Sequence, residues 1–133
     1  MEKQDPMSQI SNYLTLALHE QKPRVGLWYC RHANECMVHE IHYALTGRYP
    51  DEEGYASFST IIKEIESEIS RSNRSKLWKV ASLTNQAAHH ASKNEYSFAK
   101  KQVEGTVKTI LSVYRDFFGR ELDLSGEIDL ESA

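Results

Sequence analysis

Asn85 and His89 are the residues of this chain best suited to carry chemistry, because they stand four positions apart in a stretch with helical hydrophobic spacing. At that separation an amide and an imidazole lie on one face of a helix and can act together. Imidazole titrates near neutral pH, so His89 could move a proton between a ribose 2′-hydroxyl and a leaving oxygen, while Asn85 holds a phosphate oxygen or orients the ring. The alternative is a structural polar layer, in which the two side chains satisfy each other and buried backbone groups.

A second polar pair, Arg31 and Glu35, has the same four-residue spacing on an earlier predicted helix. If that helix packs beside the one that carries Asn85 and His89, the four side chains form a cluster that could bind RNA or a nucleotide, with the guanidinium on a phosphate. A plain intrahelical ion pair explains the Arg-Glu spacing equally well.

Basic and aromatic residues are interleaved just before the Asn-His stretch. Arg74, Trp78 and Lys79, with Arg71 and Lys76 beside them, could hold phosphate groups while the indole stacks on a base. Trp78 at helical spacing is also typical of a core or interface residue, and the basic run is also typical of a solvated turn.

His32, Cys36, His39 and His42 have the residue types of a metal site, with zinc as the first candidate. The set spans more than two helical turns, so one ion cannot bind all four, and we predict no metal. We expect a partly buried Cys36 and three histidines on a solvated or subunit-facing flank. Cys30 and Cys36 stand too far apart on one helix for a relaxed disulfide, so both should be reduced.

Five segments with helical hydrophobic spacing must position these residues, and the pattern predicts an all-α, five-helix, up-and-down bundle. We expect one domain over residues 1–119 and a flexible, acidic tail over 120–133. The predicted order is a first helix around 10–18, a second over 24–46 that ends at Gly47, a loop over 48–56, a third capped by Ser57 and reaching Ile69, a polar run over 70–75, a fourth over 76–91, a turn at 92–94 and a fifth that ends before Gly119.

Composition excludes several classes of protein. The 133 residues are 40% hydrophobic, which suffices for one core, and the formal net charge of −3 gives no global basic field for wrapping nucleic acid. No apolar run approaches the roughly 18 to 20 residues that span a bilayer, and the start of the chain lacks a signal-peptide core, so we expect a cytoplasmic protein without a membrane role. No phosphate-binding loop or dinucleotide fingerprint calls for a cofactor.

The helix order and two motifs, Arg31-x-x-x-Glu35 and Thr84-Asn85-x-x-x-His89, resemble the HEPN (higher eukaryotes and prokaryotes nucleotide-binding) superfamily, and particularly its restriction- and defence-associated branch. The resemblance covers roughly residues 24–118. Ribonuclease members carry Arg, a polar residue, three further residues and His, and Asn85 and His89 match the last part of that motif. Thr84 stands at the position of the Arg and supplies no charge for a phosphate transition state, so the resemblance implies at most weak metal-independent RNA cleavage.

The resemblance also implies a context and partners. We expect a prokaryotic or phage defence or toxin-type system, RNA or a nucleotide as ligand, and an antitoxin or another protein as partner. Family ribonucleases pair two His-bearing helices across a dimer interface, and the small residues Thr84, Ala87, Ala88 and Ala91 would suit a homodimer of this kind. The alternative function is a non-catalytic helical dimerisation or protein-interaction module.

Overall fold

A computed structural model of the protein describes residues 6–50, 57–89 and 98–124, with the side chains of Pro6 and His89 excepted. Over these ranges the chain forms five α-helices and no strand, which confirms the predicted all-α bundle. The helices are α1 (Pro6–His19), α2 (Pro23–Thr46), α3 (Phe58–Ile65), α4 (Arg71–His89) and α5 (Lys100–Phe118).

Helix α2 is the centre of the bundle, because its 24 residues contact each of the other four helices. Its buried stripe includes Leu27, Cys30, Met37 and Ile41, each at most 1% exposed. At Gly26 the neighbours come especially close, since a Cβ atom there would lie 3.1 Å from the Val103 side chain of α5 and 3.2 Å from a backbone oxygen of α1. Residues on several faces of α2 are therefore fixed relative to α3 and α4.

Three predicted helix boundaries are confirmed. Gly47 and Gly119 follow α2 and α5 with φ angles of 79° and 73°, a left-handed conformation that glycine adopts without steric cost. Ser57 caps α3, because its Oγ accepts a hydrogen bond from the Thr60 N–H at 3.2 Å.

Two other predicted boundaries are wrong. The polar run over 70–75 does not separate two helices, because Ser70 Oγ accepts the Asn73 N–H at 3.0 Å and caps α4, which begins at Arg71. Helix α3 ends at Ile65 instead of reaching Ile69, and a 3₁₀ turn, Glu66–Glu68, follows it. The predicted turn at 92–94 lies outside the described residues.

The chain after α5 does not leave the bundle at once. Ser11 Oγ of α1 donates to the Asp123 carbonyl at 2.8 Å, and Leu122 and Leu124 pack against the core. The first residues of the predicted flexible tail are therefore held on α1, while 125–133 lie outside the described residues. None of the described helices combines the length and apolarity needed to cross a membrane.

Candidate functional site

A cleft of about 350 Å³ lies between α2, the start of α3 and α4. Helical spacing explains its walls, because side chains three and four positions apart line one face of a helix. Its volume falls within the range of sites that hold small ligands, and four of the predicted site residues contribute to it: Arg31, Glu35, Trp78 and Asn85. The full lining is Arg31, Asn34 and Glu35 of α2, Ser57, Phe58 and Ser59 at the start of α3, and Trp78, Ala81, Ser82, Thr84 and Asn85 of α4.

An aromatic pair forms one wall of the cleft. The rings of Phe58 and Trp78 meet edge to face, with centroids 5.4 Å apart and an interplanar angle of 81°. Trp78 remains 39% exposed although it packs on Phe58. Its indole therefore packs on Phe58 and keeps surface available for stacking.

The polar pair on α2 is present but loose. Arg31 Nε and Glu35 Oε2 are 3.9 Å apart, too far for a hydrogen bond, and the two side chains are 32% and 42% exposed. An exposed pair at this spacing stabilises a helix by only about 0.3 to 0.5 kcal/mol. A phosphate that binds the Arg31 guanidinium would therefore break only a weak ion pair.

Asn34 is a cleft residue that the sequence motifs do not single out. Its side chain is 2% exposed, and Nδ2 donates to the Leu77 carbonyl at a long 3.5 Å. Its Oδ1 is buried and has no hydrogen-bond partner among the described residues. The sequence does hold a signal for it, because Asn34 stands between Cys30 and Val38 at the spacing of the apolar stripe of α2.

Thr84 lies at the floor of the cleft with no exposed surface. Its Oγ1 donates to the Val80 carbonyl at 2.8 Å, one turn earlier on α4. The Thr84 hydroxyl is therefore satisfied within its own helix, and the side chain brings no charge to the cleft.

The structure does not bring every predicted residue into the cleft. Arg74 Nη1 instead contacts the Glu66 carbonyl at 3.4 Å, and Lys79 is exposed outside the cleft lining. Asn85 lies at an exposed position of the lining, and His89 ends α4 one turn further along. The His89 side chain lies outside what the structure describes, so its approach to Asn85 or Arg31 stays a prediction.

The histidines of α2 do not share one environment, and the predicted solvated flank is wrong for His42. That side chain is fully buried, with Nε2 2.9 Å from Glu64 Oε2 and Nδ1 2.9 Å from the Arg48 carbonyl oxygen. The folding of α3 back onto α2 covers it. His32 is half-buried, with its ring stacked 5.2 Å from that of Tyr13.

The thiols are poorly suited to metal binding or nucleophilic chemistry. Burial raises the pKa of Cys30 to about 12, an effect that the charge of Lys100 opposes. Burial also raises the pKa of Cys36, which is half-buried as predicted, and the nearby Glu35 and Glu40 carboxylates add to that shift. Within the described ranges no three His, Cys, Asp or Glu side chains are placed to hold a metal ion.

The small residues of α4 serve the bundle itself. Thr84 is fully buried, Ala87 is 2% exposed and Ala88 is half-buried, in a helix that packs on both α2 and α5. Ala91 lies outside the described residues. The stripe expected to pair two subunits is thus largely covered within one chain.

Compared with protein-family models, curated proteins and solved structures, the chain matches none. The cleft must therefore be interpreted from its own geometry and chemistry.

Proposed function

We propose that this cleft binds RNA or a nucleotide, in a HEPN-like protein of a prokaryotic or phage defence or toxin-type system. The carrying observation is that Arg31, Glu35, Trp78 and Asn85, chosen by sequence spacing, line one cleft of about 350 Å³. A base stacks on the exposed part of the Trp78 indole, the Arg31 guanidinium binds a phosphate, and Asn85 donates to a phosphate or ribose oxygen. A local site of this kind is compatible with the net charge of −3.

The two tryptophans of the chain provide a matched test of binding. Trp78 lines the cleft, whereas Trp28 is 46% exposed and packs on His32 with ring centroids 4.2 Å apart. Fluorescence anisotropy with labelled single-stranded RNA should show Trp78→Ala weakening binding about tenfold, because stacking contributes roughly 1 to 3 kcal/mol per base. Trp28→Ala should leave binding unchanged. Equal losses in both variants, or no RNA binding by the wild type, would contradict the proposal.

Salt dependence tests the phosphate contact separately. Each phosphate contact on a single strand contributes about 0.7 to the slope of log K against log salt concentration, so Arg31→Ala should lower that slope by about 0.7. Arg115, whose side chain is 63% exposed on α5, gives the control. An unchanged slope for Arg31→Ala, or an equal change for Arg115→Ala, would remove Arg31 from the site.

Catalysis is the weaker part of the proposal. His89 would take the proton from a ribose 2′-hydroxyl as its oxygen attacks phosphorus and would return it to the 5′-oxygen that leaves as the P–O bond breaks, with Asn85 orienting the phosphate, but Thr84 supplies no positive charge to the transition state. We therefore expect at most slow cleavage of single-stranded RNA in the presence of a chelator, lost in His89→Ala and kept in the control variant His19→Ala. If the wild type cleaves no RNA, the catalytic part fails and binding stands alone.

A non-catalytic dimerisation or protein-interaction module is the second candidate, and the exposed aromatic residues of α2 favour it. Trp28 and Tyr43 are 46% and 45% exposed. On this account Trp28 and Tyr43 of one copy pack against the second copy in a homodimer, or they bind an antitoxin or another protein. Light scattering at tens of micromolar should then give a dimer that Trp28→Ala weakens. A wild-type monomer at this concentration argues against the homodimer.

A further inference from the structure

Among the described residues, two buried asparagines have an unpaired side-chain oxygen, and only one of them lines the cleft. Asn34 is 2% exposed and Asn73 is 4% exposed, and neither Oδ1 has a hydrogen-bond partner among the described residues. Asn73 lies outside the cleft lining, and its Nδ2 donates to Asp116 Oδ2 at 2.7 Å. Asn34 belongs to the lining, so of the two unpaired oxygens only that of Asn34 is carried by a residue that borders the cleft.

The orientation of the Asn34 amide follows from its one partner. The Leu77 backbone oxygen is an acceptor only, so the side of the amide that faces it must be the NH₂ group, 3.5 Å away. The oxygen is therefore the group left for a ligand. Glu35, next in the chain and also in the cleft lining, adds a second acceptor. Asn34 and Glu35 thus give this part of the cleft lining two acceptor side chains.

The geometry points to Asn34 as a base-selecting residue, whose Oδ1 accepts a hydrogen bond from the exocyclic amino group of a nucleobase stacked on Trp78. This inference rests on the proposed nucleotide binding. Adenine, cytosine and guanine carry such an amino group, whereas uracil does not. In uracil a carbonyl oxygen stands in place of the amino group of cytosine, so an acceptor instead of a donor would be turned towards the Asn34 oxygen. A base without the amino group leaves the buried oxygen unpaired.

The test compares ligands that differ in the amino group alone. Isothermal titration of the wild type with AMP and with purine riboside 5′-monophosphate, which lacks the 6-amino group, should show AMP binding about tenfold more tightly. CMP should bind more tightly than UMP by a similar factor. This arm requires no variant protein, so it is independent of any effect of mutation on folding.

Two variants then test whether Asn34 causes the preference for AMP. In Asn34→Leu the ratio between AMP and its analogue without the amino group should fall from about tenfold to about twofold or less. Asn73→Leu makes the same change at the other buried asparagine and should keep the wild-type ratio. Circular dichroism confirms that each variant is folded.

The outcomes separate this inference from the proposal beneath it. Equal binding of AMP and its analogue by the wild type, with binding still weakened by Trp78→Ala, overturns base selection by Asn34 and leaves nucleotide binding in place. An unchanged ratio in Asn34→Leu also overturns it. No binding of any of the four nucleotides overturns this inference and the binding of nucleotides, and no binding of labelled RNA in addition overturns the proposed function.

Discussion

Two polar clusters on α2 have opposite character. Near its C-terminal end, fully buried His42 has an oxygen partner at each ring nitrogen, from Glu64 and from the Arg48 backbone. Near its middle, Asn34 is almost as deeply buried and lines a cleft with a loose ion pair beside it, yet its oxygen has no partner among the described residues. A satisfied cluster stabilises the fold, whereas an unsatisfied one beside a cavity lowers stability and favours a ligand.

The largest expected effect is at the satisfied cluster. His42→Ala should lower the free energy of unfolding by about 3 kcal/mol and the thermal midpoint by about 10 °C, because it leaves a cavity and removes the hydrogen bonds to Glu64 and Arg48. Thermal denaturation followed by circular dichroism measures this. His19→Ala, at an exposed position, should cost less than about 1 kcal/mol. A thermal midpoint of His42→Ala within about two degrees of the wild type would contradict the claim that the His42 cluster stabilises the fold.

Thr84→Arg should have the next largest effect. It places an Arg where the resemblance to HEPN ribonucleases predicts one but adds a long cation at a position with no exposed surface, so we expect a loss of about 2 kcal/mol in the free energy of unfolding. The new side chain would also fill the cleft and weaken RNA binding. Thr84→Val, which keeps the shape, is the control. A stable Thr84→Arg variant that cleaves RNA faster than the wild type would show that the cleft accommodates the motif Arg.

Asn34→Leu should change stability least among the buried polar residues. Removing an unpaired acceptor offsets the loss of a long hydrogen bond to Leu77, so the free energy of unfolding should stay within about 1 kcal/mol of the wild type. Chemical denaturation measures the difference. A loss near that of His42→Ala would mean that Asn34 is itself a structural residue.

Thiol reactivity gives a smaller, pH-dependent effect. The folded pKa of Cys30 is about 12 against an ordinary value of 9.0, so the protonated thiol favours the folded state, and this contribution is lost as pH rises from about 9 towards 12. At pH 8 iodoacetamide should therefore modify Cys30 only after unfolding, and the half-buried Cys36 should react faster, as followed by mass spectrometry. Rapid modification of Cys30 in the folded protein would contradict this burial.

Much of the fold could be predicted because local chemistry decides it. Ser57, Gly47 and Gly119 mark helix ends by capping or by a left-handed φ, and the hydrophobic period marks what lies between. The start of α4 was mispredicted because a first helical turn that is wholly polar shows no such period, and only the cap at Ser70 reveals it. Lys100 is likewise of a residue type typical of the surface, yet its Nζ donates to the carbonyl oxygens of Leu18 and Glu20.

The candidate site, too, could be predicted from the sequence only in part. Four-residue spacing predicts that Arg31 and Glu35 share a helix face, and this face lines the cleft. Whether a polar residue beside the apolar stripe is buried depends on what packs over it. Asn34 and His42 are both covered by neighbouring helices, and their burial could not be predicted from α2 alone. The Asn85-His89 geometry stays a prediction.

The most direct measurement of the central claim uses the fluorescence of Trp78. The chain has two tryptophans, so Trp28→Phe leaves Trp78 as the only reporter, and Trp78→Phe leaves Trp28. Titration with AMP should quench Trp78 fluorescence in Trp28→Phe along a saturable curve, because the base stacks on that indole. In Trp78→Phe the emission should stay constant apart from a correction for absorbance. No saturable change in Trp28→Phe, or the same change in both proteins, would contradict nucleotide binding in the cleft.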